Sequence, residues 1–120
     1  MNKPDIERLK KILQTWAAVE EQMKKQAITR EQLMTDEFAQ WALTTPLYNI
    51  GEQVYKLSPD LKSRYTDVPW NLVSGLRHRL VHDYEGINWS VIIEVIFDDM
   101  PRFISQIRQI CEEEARQGQE

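Results

Sequence analysis

Apolar residues recur at steps of three and four positions along most of the chain, with polar residues between them. This spacing gathers apolar side chains on one side of an α-helix, which can then bury that side. It predicts helices over residues 3–25, about 36–57, 70–80 and from 88 onward, with a short helix near 58–65. Alternation typical of strands is absent from the sequence. The pattern therefore predicts an all-α fold, an up-and-down bundle of four or five helices.

The faces that these helices are predicted to bury differ in width. The helix over 36–57 is expected to bury Phe38, Trp41, Ala42, Leu47, Ile50, Val54 and Leu57. The helix over 70–80 is expected to bury Leu72, Val73, Leu76, Leu80 and Val81. The last helix has the widest apolar face, formed by Trp89, Ile92, Ile93, Ile96, Phe97, Met100, Phe103, Ile104, Ile107, Ile110 and Cys111. A face of this width on a small protein predicts that part of it contacts another subunit.

Capping and helix-breaking residues add detail to this pattern. Ser58-Pro59-Asp60 and Asn88 have the form of helix starts. Pro46 lies inside a predicted helix, so either the helix kinks there or two helices meet there. Gly51 is also interior, where glycine costs up to about 1 kcal/mol relative to alanine. Gly51 therefore indicates either the close approach of a neighbouring helix or a looser backbone. In the last helix, Pro101 predicts a bend.

Length and composition limit the class of protein. A chain of 120 residues is large enough for one core, so we expect a single domain over 1–120 whose polar end, 112–120, is a frayed tail. The only cysteine, Cys111, excludes an internal disulfide, fits a reducing cytoplasm and is expected to be a packed thiol. The charged N-terminal segment is not a signal peptide, and no run approaches the ~18 apolar residues of a membrane span. The expected location is the cytoplasm, without a membrane partner.

One stretch, residues 77–84, holds most of the candidate chemistry. Both histidines of the protein, His78 and His82, lie in it together with two arginines, a carboxylate and a phenol. On a continuous helix, Arg77 and His82 would lie about 140° apart and would not share a face. They can converge only if the helix ends before His82 or if a second copy of the chain brings its own pair to the same place.

Two simpler interpretations of this stretch remain open. His78 and His82 are four residues apart, which is half of a zinc motif, and a metal-dependent hydrolase could add Asp83 and Glu85. Arg79 occupies the place of the glutamate in such a motif, and a cation there disfavours metal, so no metal is expected. The stretch could also be a helix end decorated with cations, which the helix dipole favours.

The stretch also fits the pattern Arg-x4-His-x-Tyr, with Arg77, His82 and Tyr84 at its defined positions. Four further blocks occur upstream of His82, namely Ile50-Gly51-Glu52, Leu57-Ser58, Val68-Pro69-Trp70 and Gly75-Leu76-Arg77. In this order and spacing, the chain resembles the HEPN superfamily, specifically the HepT-like toxins that are paired with MNT nucleotidyltransferase antitoxins. The resemblance runs from about Lys3 to Ile110, nearly the whole chain.

The resemblance implies a fold and a function. The fold would be a HEPN-like helical bundle, and the activity would be that of a metal-independent endoribonuclease without a cofactor, acting as a homodimer with a composite cleft. Arg77 and His82 would be catalytic. His78, at a place where asparagine is common in this branch, is the third candidate catalytic residue, as a second proton-transfer group, a phosphate contact or a spacer. The MNT antitoxin would inactivate the toxin by adding AMP to Tyr84.

The chemistry of RNA cleavage suits these residue types. The 2′-hydroxyl is the nucleophile, so the enzyme needs a base, an acid and a cation for the charged transition state. Histidine titrates near neutrality, and arginine can hold phosphate oxygens at any physiological pH.

The net charge of the chain is −4, so RNA contacts must come from a local patch of basic residues. Arg79 and Arg64 are the candidates, in a segment where basic residues outnumber acidic ones.

A different class of function fits the same residues. The chain could be a non-catalytic module that serves a nucleotidyltransferase as a substrate-binding or regulatory subunit. Arg77 and His82 would then bind a nucleotide phosphate without cleaving anything. The two hypotheses differ in a single observable, the cleavage of RNA by the purified protein.

Overall fold

Helices make up nearly all of residues 1–81 and 86–118, the part of the chain that the computed structural model describes. In chain order they are α1 (Lys3–Lys25), α2 (Arg30–Thr35), α3 (Glu37–Lys56), α4 (Pro59–Arg64), α5 (Trp70–Val81), α6 (Trp89–Glu94), a π-helical turn (Val95–Asp99) and α7 (Met100–Gly118). No strand occurs within the described ranges. The all-α bundle expected from the spacing is therefore confirmed. The helices predicted over 3–25, 36–57, 58–65 and 70–80 agree with α1, α3, α4 and α5 to within one residue at each end, whereas α2 is an additional short helix.

Polar side chains fix the starts of the helices. The side chain of Asn2 accepts a hydrogen bond from the backbone N–H of Asp5 at 2.8 Å, and Asp36 accepts one from Ala39 at 3.1 Å. Ser58 caps α4 and Asn88 caps α6 in the same way. Each cap satisfies a backbone donor that the first helical turn leaves without a partner. The start signals predicted at Ser58 and Asn88 are confirmed.

The centre of the bundle is α3, which packs most extensively against α5 and next against α1. On its other side α1 packs against α7, while α2 contacts α3 and α6. The indole of Trp70, at the start of α5, packs edge-on against Phe103 with ring centroids 6.1 Å apart. Its Nε1 donates a hydrogen bond to the backbone oxygen of Tyr65 at 2.9 Å, so the buried ring has its polar atom satisfied.

The predicted buried face of α3 is wrong in its first half. Phe38 and Trp41 are 78% and 57% exposed, and Ala42 is exposed too, whereas Ala39 and Leu43 are buried. The face that contacts the core continues the register of Leu47, Ile50 and Val54 back to Leu43 and Ala39. Since each residue turns a helix by about 100°, Phe38 and Trp41 lie off that line. They contact each other edge-on, with ring centroids 5.3 Å apart.

The prediction for α5 needs a smaller correction. Val73, Leu76 and Leu80 are buried as expected, but Leu72 and Val81 are 41% and 48% exposed. A helix in contact with its neighbour on one side buries about one residue in every three or four. Leu72 and Val81 each lie one position away from a buried residue, and so they border the contact instead of filling it.

The wide apolar face of the last helical segment is covered within one chain. Its buried members are Ile92, Ile93, Val95, Ile96, Met100, Phe103, Ile104, Ile107 and Ile110. The width of this face therefore needs no second subunit to explain it.

A π-helical turn, with a hydrogen bond from the Met100 N–H to the Val95 oxygen, lies just before Pro101. Pro101 has no N–H of its own, so the irregularity expected near it takes the form of a widened turn.

The C-terminal segment is more ordered than its polarity suggests. The sequence indicates a frayed tail over 112–120, but α7 continues to Gly118. The phenol of Tyr65 donates to Glu113 and Glu114 at 3.1 and 3.2 Å, which holds this last part of the helix against the end of α4. At Pro46, where a kink or a junction of two helices was expected, α3 continues as one helix.

Candidate active site

The crossing of α3 and α5 is close because Gly51 has no side chain. A Cβ atom on Gly51 would lie 2.8 Å from the backbone nitrogen of Arg77 and 3.2 Å from the carbonyl oxygen of Val73. Both distances are shorter than a normal carbon contact, and both atoms belong to the backbone of α5, which cannot move aside cheaply. The close helix approach predicted for Gly51 is therefore confirmed, and it occurs at Arg77 itself.

The guanidinium of Arg77 is held by two side chains of α3. Its Nη1 donates to Oε1 of Glu52 at 3.3 Å. Its Cζ lies 3.6 Å from the centre of the Tyr55 ring, a cation–π contact at van der Waals distance. About a third of the Arg77 side chain remains exposed, at 32%. The group is thus fixed in place while part of it faces solvent.

Among the described contacts, the carboxylate that meets this guanidinium is shared with a second cation. Lys56 lies one turn beyond Glu52 on α3, and its Nζ is 3.6 Å from Oε2 of Glu52. One carboxylate therefore faces two cations, so it neutralises neither completely. A guanidinium has five N–H donors, and the contact with Glu52 uses one of them. The remaining donors are available to an anion with several oxygens, such as a phosphate.

The other candidate residues of α5 follow Arg77 directly. His78 and Arg79 are exposed in the last turn of the helix. His82, Asp83, Tyr84 and Glu85 lie outside the described residues. The convergence of His82 with Arg77 and the role of Tyr84 therefore stay predictions.

Arg64 is engaged in a different set of contacts. Its Nη1 lies 3.1 Å from Oε1 of Glu114 and its Nε lies 3.7 Å from Oδ2 of Asp60. Glu114 also accepts from Tyr65 and lies 3.4 Å from the N-terminal ammonium. The described contacts join Arg64 to α7 and α4, and none joins it to Arg77.

Burial and hydrogen bonding shift the ionisation of this neighbouring cluster. Burial, together with hydrogen bonds to Glu113 and Glu114, raises the pKa of Tyr65 to about 12. Burial alone would raise the pKa of Glu114, but the hydrogen bond from Tyr65 and the charges of Arg64 and the N-terminus outweigh it and lower that pKa. The cluster therefore combines a protonated phenol with an ionised carboxylate at neutral pH. Burial likewise raises the pKa of the half-buried Cys111 thiol, as expected for a packed group.

Glu52 and Tyr55 are the contacts that the sequence patterns did not assign. Glu52 belongs to the Ile50-Gly51-Glu52 block, but spacing alone assigns no role to it. No pattern in the sequence marks Tyr55. A signal for both existed at Gly51. If that glycine marks a helix crossing, Tyr55, four positions later, lies on the same side of α3 and can reach the partner helix. Glu52 lies three positions before Tyr55 and is therefore its neighbour on the helix surface.

Other classes of site find little support in the described ranges. Residues 1–81 and 86–118 contain no group of three or more histidine, cysteine, aspartate or glutamate side chains that could hold a metal ion. Of the four residues in the candidate metal set, only His78 belongs to these ranges. In the same part of the chain, none of the helices combines the length and the hydrophobicity that crossing a membrane requires.

Comparison with known proteins gives one consistent result. The model of the family described as "Ribonuclease HepT-like" matches residues 4–110. The chain is 31% identical to "Putative RNase TTE0752" of Caldanaerobacter subterraneus subsp. tengcongensis, over 88% of this chain and 93% of that protein. It is 33% identical to "Putative RNase MJ0127" of Methanocaldococcus jannaschii, over 72% of this chain and 71% of that protein.

A third relative carries the family's own name. The chain is 28% identical to "Probable ribonuclease HepT" of Thermococcus cleftensis, over 59% of this chain and 64% of that protein. No solved structure gave a significant match.

Proposed function

The chain belongs to the HepT-like ribonuclease family, and from that premise we propose that it is a metal-independent endoribonuclease. In this proposal Arg77 and His82 are the catalytic residues, and the active form is a homodimer in which two copies of the motif share one cleft. The protein acts as the toxin of a toxin–antitoxin pair in the cytoplasm. Its partner is an MNT-type nucleotidyltransferase antitoxin.

The observation that supports this proposal most directly is the state of Arg77. Its guanidinium is restrained by Glu52 and Tyr55, is partly exposed, and retains donors for another anion. Stabilisation of developing charge is often the largest contribution to catalysis, and it requires a cation that is already in position. Arg77 meets that requirement five residues before His82.

The proposed reaction breaks one phosphodiester bond. A base removes the proton of the 2′-hydroxyl, whose oxygen attacks the adjacent phosphorus. Arg77 binds the non-bridging oxygens as their negative charge grows, and an acid donates a proton to the departing 5′-oxygen. The products are a cyclic phosphate and a 5′-hydroxyl. His82 of one copy can act as base and His82 of the other as acid, which is why two copies are needed.

Three further residues have proposed roles at the same site. His78, next to Arg77, is a second proton-transfer group or a phosphate contact. Arg79 is exposed in the same helical turn, so it is suited to bind the RNA backbone. Arg64 remains a candidate for RNA binding at a greater remove, since Glu114 and Asp60 already engage it. We assign Arg79 the larger share of RNA affinity.

The antitoxin would act on Tyr84. Transfer of AMP to its phenol would add bulk and negative charge two residues after His82. Both effects oppose the entry of an RNA phosphate into the cleft. Inhibition by this route needs no tight complex between the two proteins once the modification is complete.

Cleavage of RNA by the purified protein tests the proposal. We expect the wild-type protein, prepared without its antitoxin, to cut RNA in excess EDTA. Arg77→Ala and His82→Ala should each lower the cleavage rate by at least about 100-fold, the range seen when a charge-stabilising or proton-transfer group is removed. Arg108→Ala, which removes an exposed arginine of α7, is the matched control and should leave the rate unchanged.

Two results would contradict the proposal. Cleavage that stops in EDTA and returns with a divalent cation would replace the metal-independent mechanism. Intact RNA after long incubation, with nucleotide binding that Arg77→Ala abolishes, would indicate the non-catalytic subunit instead.

A further inference from the structure

We infer that Tyr55 is a positioning residue that holds the guanidinium of Arg77 in the plane needed to bind the scissile phosphate. The inference rests on the proposed function, because it assumes that Arg77 acts on the phosphate. It concerns a residue outside the Arg-x4-His-x-Tyr pattern.

The contact between the two side chains is direct. The Cζ atom of Arg77 lies 3.6 Å from the centre of the Tyr55 ring, so the cation rests on the ring face. Glu52 meets the same guanidinium at Nη1, 3.3 Å away. A flat ring against the cation restricts its displacement toward the ring, and a carboxylate at one nitrogen restricts its rotation about the ring normal. Together the two contacts limit the movements available to a long, flexible side chain.

Glu52 and Tyr55 differ in whether they occupy N–H donors of the Arg77 guanidinium. A carboxylate occupies N–H donors, and each donor it takes is lost to the substrate. The face of an aromatic ring attracts the cation through its quadrupole and occupies no donor at all. Tyr55 can therefore fix Arg77 without competing with phosphate, whereas more carboxylates around the guanidinium would compete. This difference makes the aromatic ring the suitable second support.

Tyr55 is also positioned to act on Arg77 without supporting the core. Its side chain is 56% exposed, so it contributes little to the buried apolar cluster. It lies on α3 one turn after Gly51, at the helix crossing where the backbone of Arg77 is already fixed. A change at Tyr55 should therefore alter the placement of Arg77 more than the stability of the protein.

Substitutions that keep or remove the ring test the inference. In single-turnover cleavage of RNA, Tyr55→Phe should keep the rate within about twofold of wild type, since the ring face is retained. Tyr55→Leu should lower the rate by about fivefold, the upper end of the range expected when an exposed cation–π support is lost. The affinity for uncleavable 2′-O-methyl RNA should change less than twofold, because ground-state binding depends on many other contacts.

Phe38→Leu is the matched control. It removes another exposed aromatic ring from the same helix, one that contacts Trp41 instead of Arg77. We expect no change in rate. Thermal melting verifies that each variant is folded, and Tyr55→Gln replaces Tyr55→Leu if the leucine variant does not fold.

The outcomes separate this inference from the proposed function. If Arg77→Ala is inactive and Tyr55→Leu cuts at the wild-type rate, Tyr55 does not position Arg77 and the proposed function stands. A loss in Tyr55→Phe as large as that in Tyr55→Leu also overturns the inference, since the hydroxyl would then be the important group. Full activity of Arg77→Ala overturns the proposed function itself.

Discussion

Asp5 is a charged residue that is almost fully buried, at 2% exposure. Its carboxylate accepts hydrogen bonds from the backbone N–H of Ser58 at 3.0 Å and from the Ser58 hydroxyl at 2.5 Å. The Ser58 hydroxyl in turn caps α4. From the sequence, Asp5 is merely tolerated in the first turn of α1. Its link to a residue 53 positions away depends on tertiary packing, which local patterns do not contain.

The three tyrosines that the structure describes, Tyr48, Tyr55 and Tyr65, also differ according to their surroundings. Tyr55 supports a guanidinium and Tyr48 is half-buried against the core. Tyr65 donates to two carboxylates, and its pKa is raised to about 12. A phenol that must lose its proton to attack a nucleotide phosphate is poorly served by such surroundings. These surroundings make Tyr65 a poor acceptor for AMP, and Tyr84 stays the proposed site of modification.

Co-expression with an MNT-type nucleotidyltransferase tests this assignment at a single residue. The intact mass of the wild-type protein should rise by one or more AMP units, and Tyr84→Phe should abolish the rise. Tyr65→Phe is the matched control and should be modified like wild type, because the hydroxyl it removes is already occupied by Glu113 and Glu114. AMP that persists on Tyr84→Phe would assign the modification to another residue.

At the scale of elements, the crossing of α3 and α5 matters most for function. Periodicity placed both helices correctly, and Gly51 indicated that one of them would be approached closely. What the sequence could not supply is the identity of the approaching atoms, the backbone of Arg77 and Val73. The same limit explains the error at Phe38 and Trp41. Spacing identifies a set of apolar residues, but contacts between helices decide which of them face inward.

A methyl group at the crossing tests its importance. Gly51→Ala would place a Cβ 2.8 Å from the Arg77 nitrogen, so the helices must separate. We expect a loss of about 1–3 kcal/mol in the free energy of unfolding, the usual cost of overpacking. Gly75→Ala is the control on α5, because a Cβ there meets nothing within 4 Å. It should be neutral or gain up to about 1 kcal/mol from helix propensity.

Urea denaturation of the two variants measures both effects. Equal stability of Gly51→Ala and Gly75→Ala would show that the crossing has room to relax. The residual cleavage rate of folded Gly51→Ala should also fall, because the methyl group displaces the backbone that carries the guanidinium.

At the scale of the whole molecule, one chain presents one Arg77 and one His82. The fold class and the order of the helices followed from the hydrophobic pattern. The number of chains in the active unit did not, since the wide apolar face of the last helical segment is covered within a single chain. The dimer is therefore proposed because RNA cleavage requires both a base and an acid.

Mixed dimers test whether the two copies share a cleft. We expect a heterodimer of Arg77→Ala with His82→Ala, isolated through two different tags, to recover part of the cleavage activity that either homodimer lacks. The recovery follows because one intact arginine and one intact histidine then meet across the interface, and it stays partial because one of the two proton-transfer groups is missing. The control pairs wild type with the double variant, which has the same number of intact groups but on one chain. Activity in the control alone would place the complete site within a single chain.

The missing side chain at Gly51 has a consequence for how this protein can evolve. The same gap lets the two central helices close and places the guanidinium, so stability and RNA cleavage depend together on this position. A lineage under pressure to weaken the cleavage activity cannot do so here by a small, tolerated step, because the first added carbon disturbs both properties. Gradual attenuation is easier at an exposed support such as Tyr55, where a substitution leaves the core intact.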